Sequence, residues 1–287
     1  MRRVWDRIWY APESPRNLAA ARIIIAVHAL WILFSRDFPG LAALPTVFWR
    51  TTSTLERWRY LFFPGHALLE AALYWMLVGA LVAVTLGWRV RAAAFIAALL
   101  LYHVAPLEAL IWTPDAFERG FEVTILSLLV LSAARCGDVW SLDAPAVVPA
   151  PGAEYRWPLV LIQLFVAQIY FFSGYSKLYR VGLSWMTADN MQRWLVRFSQ
   201  EDQLQQVSHV GLWIAHHAAV SQLVAIGAVL LDLSMILCVV WKPARRVLIP
   251  AAISMHVGIF LTMSIVFLNA PQLLVFVNWN YRSKRTP

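Results

Sequence analysis

The sequence predicts an all-α fold: a polytopic integral membrane helical bundle of about eight transmembrane helices. Three observations carry that reading. Of 287 residues, 60% are hydrophobic and only 14% charged, whereas soluble domains carry about one quarter charged residues. Apolar stretches of about 20 residues recur, each long enough for a helix to satisfy its own backbone inside lipid. Tryptophans such as Trp9, Trp88, Trp112, Trp157 and Trp279 stand mostly at the ends of those stretches, the headgroup level that suits an amphipathic ring.

Taken in order, the expected spans are 18–35, 66–86, 92–111, 120–135, 158–178, 213–240, 246–267 and 269–280. The first follows Arg2, Arg3 and Arg7; its apolar part, Leu18 to Phe34, is too long for a cleaved signal, and no small-residue cleavage site follows. The sixth is overlong and reads as beginning in an interfacial or broken helix. The eighth is short and contains Pro271, so seven spans is the alternative count. Between spans, Arg36–Gly65 is aromatic and basic, as in an interfacial re-entrant segment. Cys136–Trp157 carries Pro145, Pro149 and Pro151 and reads as an irregular loop. Tyr179–Leu212 is the most polar stretch and holds no second hydrophobic core, so a single transmembrane domain over 1–287 is expected.

The formal charge of +8 does not point to nucleic acid, because the basic residues flank the membrane stretches. Arg89, Arg91, Arg135, Arg156, Lys242, Arg245, Arg246 and both basic termini fall on one side, which the positive-inside rule makes cytoplasmic. Cys136 and Cys238 form no disulfide framework and have no metal-ligand spacing. There is no HExxH, CxxC, P-loop or GxGxxG, so no metal and no soluble-type nucleotide chemistry is expected.

Ionisable residues inside hydrocarbon are costly and mark functional positions by default. Lys177 ends the fifth span in Ser173-Gly174-Tyr175-Ser176-Lys177-Leu178. A desolvated amine there can serve as a base; equally, a helix-end lysine snorkels to the interface. Gln163, Tyr170 and Lys177 recur every seven residues and share a helix face, and Gly174 permits close approach of a helix or ligand. Asp232, deep in the sixth span, needs a partner or a proton, whether for helix packing or for chemistry. His256 is mid-span and fits helix packing at least as well as ligand binding. His66, Glu70, Glu108, Glu122, His209, His216 and His217 fall with Lys177 in the outer leaflet, an expected acid/base cluster drawn from five helices. His28 and His103 read as packing residues.

These landmarks together resemble the HTTM (horizontally transferred transmembrane) family, whose animal members are the vitamin K-dependent gamma-glutamyl carboxylases. Pro12-Glu13-Ser14-Pro15-Arg16-Asn17-Leu18-Ala19-Ala20-Ala21-Arg22 is similar to the family's polar lead-in to its first helix. Gly137-Asp138-Val139-Trp140-Ser141-Leu142-Asp143 looks like its Trp-Ser-x-Asp loop, and Gly174-Tyr175-Ser176-Lys177-Leu178 its Gly-x-x-Lys-Leu, followed by Trp185. Leu230-Leu231-Asp232-Leu233-Ser234 and Met255-His256 complete the pattern. The resemblance implies Lys177 as the base that deprotonates vitamin K hydroquinone or a related quinol. Oxygen then yields a strong quinone-derived base that removes a glutamate γ-proton, and carbon dioxide adds to the carbanion. It thus implies a carbon–carbon bond-forming, quinol-epoxidising membrane enzyme, with quinol, O2 and CO2 as co-substrates. Tyr170, Gly174, Trp185, Asp232, His256, Glu70, Glu108 and Glu122 are the candidates for substrate binding or proton relay.

The resemblance also implies membrane lipid, a secreted peptide or protein substrate and a separate extramembrane subunit as partners. Its location would be the bacterial cytoplasmic membrane, with both termini cytoplasmic. The chain departs from the family in lacking a histidine near Gly120, in the longer spacing from Lys177 to Trp185, and in Ala188 where a glycine is usual. The alternative function is a non-catalytic membrane factor that binds a secreted peptide or quinone-type lipid during maturation or export. A transporter fits less well, since no repeated halves are visible.

Overall fold

The computed structural model describes residues 2–44, 67–105, 119–201 and 207–280. Among the described residues the chain is helical, with one isolated bridge between Glu13 and Gly152 and no strand. The helices are α1 (Arg2–Tyr10), α2 (Pro15–Phe34), α3 (Phe38–Ala42), α4 (Ala67–Leu86), α5 (Val90–Val104) and α6 (Arg119–Ala133). They continue as α7 (Ala153–Val181), α8 (Ala188–Glu201), α9 (Val210–Ala215), α10 (Ala218–Ser234), α11 (Leu237–Val240) and α12 (Arg245–Met263).

Among the described residues, four segments are long and apolar enough to cross a bilayer: Pro15–Phe34, Ala67–Leu86, Ala153–Met186 and Lys242–Met263. At about 1.5 Å per residue, 20 residues span the roughly 30 Å hydrocarbon core. Val90–Val104, Phe121–Ala133 and Ala218–Ser234 are shorter apolar helices. The protein is an integral membrane protein of all-α architecture.

Several expected spans change. The sixth breaks twice, at His216-His217 and at Met235-Ile236, into α9, α10 and α11. His217 is extended (φ −116°, ψ 91°), and the Ile214 carbonyl at the break accepts from the His217 N–H (2.9 Å) and from Ser221 Oγ (2.8 Å). The eighth is not a membrane helix. Ala270–Phe276 is a seven-residue 3-10 turn with Pro271 at its start, about 14 Å long at 2.0 Å per residue and too short to cross. The fifth is longer than expected, because Pro158 near its start removes the donor only to the exposed Glu154 carbonyl. The re-entrant expectation falls mainly on 45–66, outside the described residues, after the short α3 capped by Asp37 (Gly40 N–H to Oδ1, 3.0 Å).

The chain divides into two compact units, Met1–Ile162 with Asn278–Pro287, and Gln163–Val277. In the first, α5 packs against α4 and α6, and α2 packs against both as well. Ala93, Ala94, Ala97, Ala98 and Leu101 form the buried stripe of α5, small enough for backbones to approach closely. Trp75, Phe95, Ile96 and Leu99 point outward and exposed, as a lipid solvent requires.

A polar clasp holds this unit. Fully buried Arg22 donates from Nη1 to the Cys136 carbonyl (2.8 Å) and from Nη2 to the Trp140 carbonyl. Ser141 Oγ donates to the Gly87 carbonyl (2.5 Å), and the Arg89 N–H donates to Asp143 Oδ2 (2.5 Å). The Trp-Ser-x-Asp loop therefore closes the α4–α5 turn. Gly87 has φ +80°, and a Cβ there would lie 2.5 Å from Ser141 Cα. Glu13 accepts from Asn17 (2.8 Å) and pairs with buried Arg156 (2.9 Å), while Asn17 Oδ1 receives the Trp279 N–H (2.7 Å).

In the second unit, Gln163 donates to the Val275 carbonyl (2.9 Å) and accepts from Arg245 (2.8 Å). Amphipathic α8 packs on α9 and α10. Its Met191 and Leu195 join Ala215 and Ala225 in a small core flanked by Trp185, Ile214 and Met263.

Candidate functional site

The shared face of α7 organises the second unit's site. Tyr170, Gly174 and Lys177 lie on successive turns of one stripe, and each meets a residue of the later helices. At the first turn, Tyr170 Oη and His256 Nε2 of α12 are hydrogen bonded at 2.7 Å. At the second, a Cβ on Gly174 would come within 2.9 Å of Asp232 Cβ and 3.1 Å of Leu233 Cγ. The missing side chain is what admits α10. At the third, Lys177 Nζ donates to Asp232 Oδ2 at 2.6 Å and lies 4.6 Å from the Trp185 ring centroid.

Asp232 is almost fully buried, whereas the Lys177 side chain keeps about a quarter of its surface. The amine is thus turned toward a carboxylate and an aromatic face rather than reaching freely for the interface. A cation over an indole gains electrostatic attraction from the ring, and more so where water is scarce.

Tyr170, Lys177, Trp185, Asp232 and His256 all line one cavity of about 840 Å³, within the size range of sites for drug-sized ligands. The rest of its wall is mainly apolar, with α8 contributing Met191, Trp194, Leu195 and Phe198. Such a chamber offers a lipid-soluble molecule an oily bed and a small set of polar anchors. Among the described residues, no group of three or more His, Cys, Asp or Glu could hold a metal.

The remaining expected cluster divides. Glu70 belongs to the first unit, where it is buried and paired with His103 (2.8 Å). His103, read from sequence as a packing residue, is therefore also a hydrogen-bond partner of Glu70. Glu122 is also in the first unit and exposed. Glu108 and His66 lie outside the described residues. His209, His216 and His217 are exposed, and His217 Nδ1 sits 2.7 Å from the Trp213 carbonyl oxygen. Asn269 was missed: it lines the cavity, and its Oδ1 is buried without a hydrogen-bond partner. The available signal was a polar residue within the apolar run Phe267-Leu268-Asn269-Ala270.

Helices long and apolar enough to cross a bilayer, with an ion pair at the wall of an apolar cavity in the second unit, define a polytopic membrane protein with a candidate ligand site. The HTTM domain matches the chain over residues 10–270, and the chain belongs to the HTTM family. This is the family of the membrane domains of vitamin K-dependent carboxylase-like proteins. No curated protein and no solved structure matches the chain.

Proposed function

We propose that the cavity of the second unit binds a lipid-soluble quinol and that Lys177 is the base that activates it. The observation that carries this reading is the Lys177–Asp232 pair, 2.6 Å apart, at the wall of an apolar cavity of about 840 Å³. Removing an ammonium and a carboxylate from water is costly, and the cost falls when the proton passes from nitrogen to oxygen and both become neutral. Lys177 then presents a lone pair to a bound hydroxyl. As Lys177 accepts that proton it returns to ammonium, and the proton it gave up resides on Asp232. The charges balance, with the ammonium beside the new oxyanion. Trp185 holds the amine in place, and Gly174 keeps Asp232 within reach.

A quinol, when bound and met by oxygen, supplies the strong base that carboxylation of a glutamate side chain by CO2 requires. The residues present fit such a ligand: an apolar wall, an aromatic ring beside the amine, and polar groups on two turns of α7. The reading places the protein in a bacterial cytoplasmic membrane, with a secreted peptide or protein as the carboxyl acceptor.

The test is turnover in detergent or nanodiscs with vitamin K hydroquinone and air, followed by chromatography for the epoxide. Native protein is expected to form it, and Lys177→Ala and Asp232→Asn to lose at least about 100-fold, the usual contribution of a positioned base. Binding of the quinol without epoxide from the native protein would replace this reading with the non-catalytic binding factor.

A further inference from the structure

A separate cavity of about 410 Å³ lies in the first unit at the α4–α5 turn, within the size range of small-molecule sites. Arg89, Arg91 and Arg135 line it together with Gly137, Asp138 and Asp143. Its two carboxylates are already engaged. Asp138 pairs with Arg135 (2.9 Å) and accepts from the Tyr155 hydroxyl (2.6 Å), while Asp143 accepts the Arg89 N–H (2.5 Å). Glu154 also stands 3.9 Å from Arg135, so the charge of Arg135 is answered within the protein. The guanidinium groups of Arg89 and Arg91 have no ion pair or hydrogen bond among the described residues. Two cations gathered on one concave wall repel each other and attract an anion.

The backbone around them has the same preference. Helix α5 starts at Val90 without a side-chain cap, which leaves the N–H groups of its first turn without helix partners. Val90, Arg91 and Ala92 of that turn all line the cavity, and the positive end of the helix dipole favours negative charge there. Arg89 itself has φ 41° and ψ 45°, a left-handed conformation that glycine adopts freely and arginine does not. The turn therefore does not call for an arginine; the cavity does.

The setting favours a lipid over a free ion. Helix α4, long and apolar enough to cross the bilayer, ends at Leu86, which brings the turn to headgroup level. Trp88 beside Arg89 and Leu142 beside Asp143 are exposed, and the Leu142 N–H donates to the Leu86 carbonyl (3.0 Å). A polar hollow with apolar side chains next to it matches a molecule with an anionic head and acyl chains. We infer that this cavity binds the headgroup phosphate of an anionic phospholipid, held by Arg89, Arg91 and the first turn of α5. The inference does not depend on the quinol reading, which concerns the second unit.

The experiment is native mass spectrometry of the full chain, stripped of lipid in detergent and titrated with phosphatidylglycerol or phosphatidylcholine. Native protein is expected to take up one phosphatidylglycerol at least about tenfold more tightly than phosphatidylcholine, whose ammonium meets the arginines. Arg89→Gly and Arg91→Gln should each weaken that binding about tenfold, the loss of a charge-assisted contact. Arg89→Gly keeps the N–H that reaches Asp143 and relieves the left-handed backbone, so without lipid it should melt no lower than native protein. Arg246→Gln, which removes an exposed cation of α12 outside both cavities, should bind as native protein does. Equal affinity for the two lipids, unchanged binding in both cavity variants, or the same loss in Arg246→Gln overturns the site. Inorganic phosphate that displaces phosphatidylglycerol at equal concentration overturns the lipid assignment in favour of the free ion.

Discussion

At Lys177 and Asp232 the strength of the pair comes from what each would face alone. Removing one partner of a buried ion pair costs about 3–5 kcal/mol. Because Lys177 keeps partial exposure, Asp232→Leu should cost nearer about 2 kcal/mol, the stranded ammonium being partly hydrated. Lys177→Met with Asp232→Leu should recover most of that loss, and thermal melting in detergent across the cycle would show it. Additive losses would mean that the two groups are not coupled. Gly174→Ala is a sharper probe of the same contact. The added Cβ would sit 2.9 Å from Asp232 Cβ and 3.1 Å from Leu233 Cγ, so about 1–3 kcal/mol of overpacking should exceed the gain of up to about 1 kcal/mol in helix propensity. The stripe Gln163–Tyr170–Lys177 was legible from a spacing of seven. Its partners were not, because nothing local in the sequence says that Tyr170 meets His256 or that Lys177 meets Asp232. Asn269 was passed over because it stands at the start of the expected eighth span, two residues before Pro271, and nothing local reveals the cavity it lines.

Among the elements, the Trp140–Asp143 loop and the broken sixth span show how structure reassigns a motif. The loop resembled a family signature, and in the structure it closes the α4–α5 turn through Ser141 and Asp143. Gly87→Ala should therefore destabilise the first unit by more than about 1–2 kcal/mol, the cost of a left-handed residue alone, because Ser141 lies in the way. It should leave ligand affinity in the second unit within about twofold. Limited proteolysis of the α4–α5 turn alongside a binding titration separates those effects. At the helix break, Ser221→Ala removes one of two donors to the Ile214 carbonyl, which keeps the His217 N–H, and should cost no more than about 1 kcal/mol, measurable as a shift in the detergent melting midpoint. The apolar run from 213 to 240 signalled a membrane segment but not its interruptions, since two adjacent histidines do not break a helix by propensity alone. Packing of α9 against α8 and α12 decides where the chain turns.

For the whole molecule, the proposed orientation has both termini cytoplasmic, which fits the meeting of Asn17 with Trp279 in the first unit. A cysteine at exposed Asp189, before α8, should react with an impermeant maleimide from outside; one at exposed Val148 should react only after permeabilisation. The reverse pattern overturns the orientation. The native background should be silent, because Cys136 and Cys238 are buried. Burial also pushes the Cys136 thiol up to about 11, so at pH 7.5 its nucleophilic thiolate is scarce, and labelling of native protein should rise only as pH approaches that value or on unfolding. From composition and apolar run length alone came the all-α membrane architecture, since lipid leaves a chain of this hydrophobicity little but helices to pair its backbone. The ordered landmarks around Lys177, Trp140 and Asp232 likewise carried the family. Tertiary structure alone decided that the last stretch is a short 3-10 turn, that Glu70 pairs with His103, and that Lys177, Asp232, His256 and Asn269 line one chamber. The physical reason is range: hydropathy and helix period act between near neighbours in sequence, while an ion pair or a cavity is made by side chains brought together from distant segments.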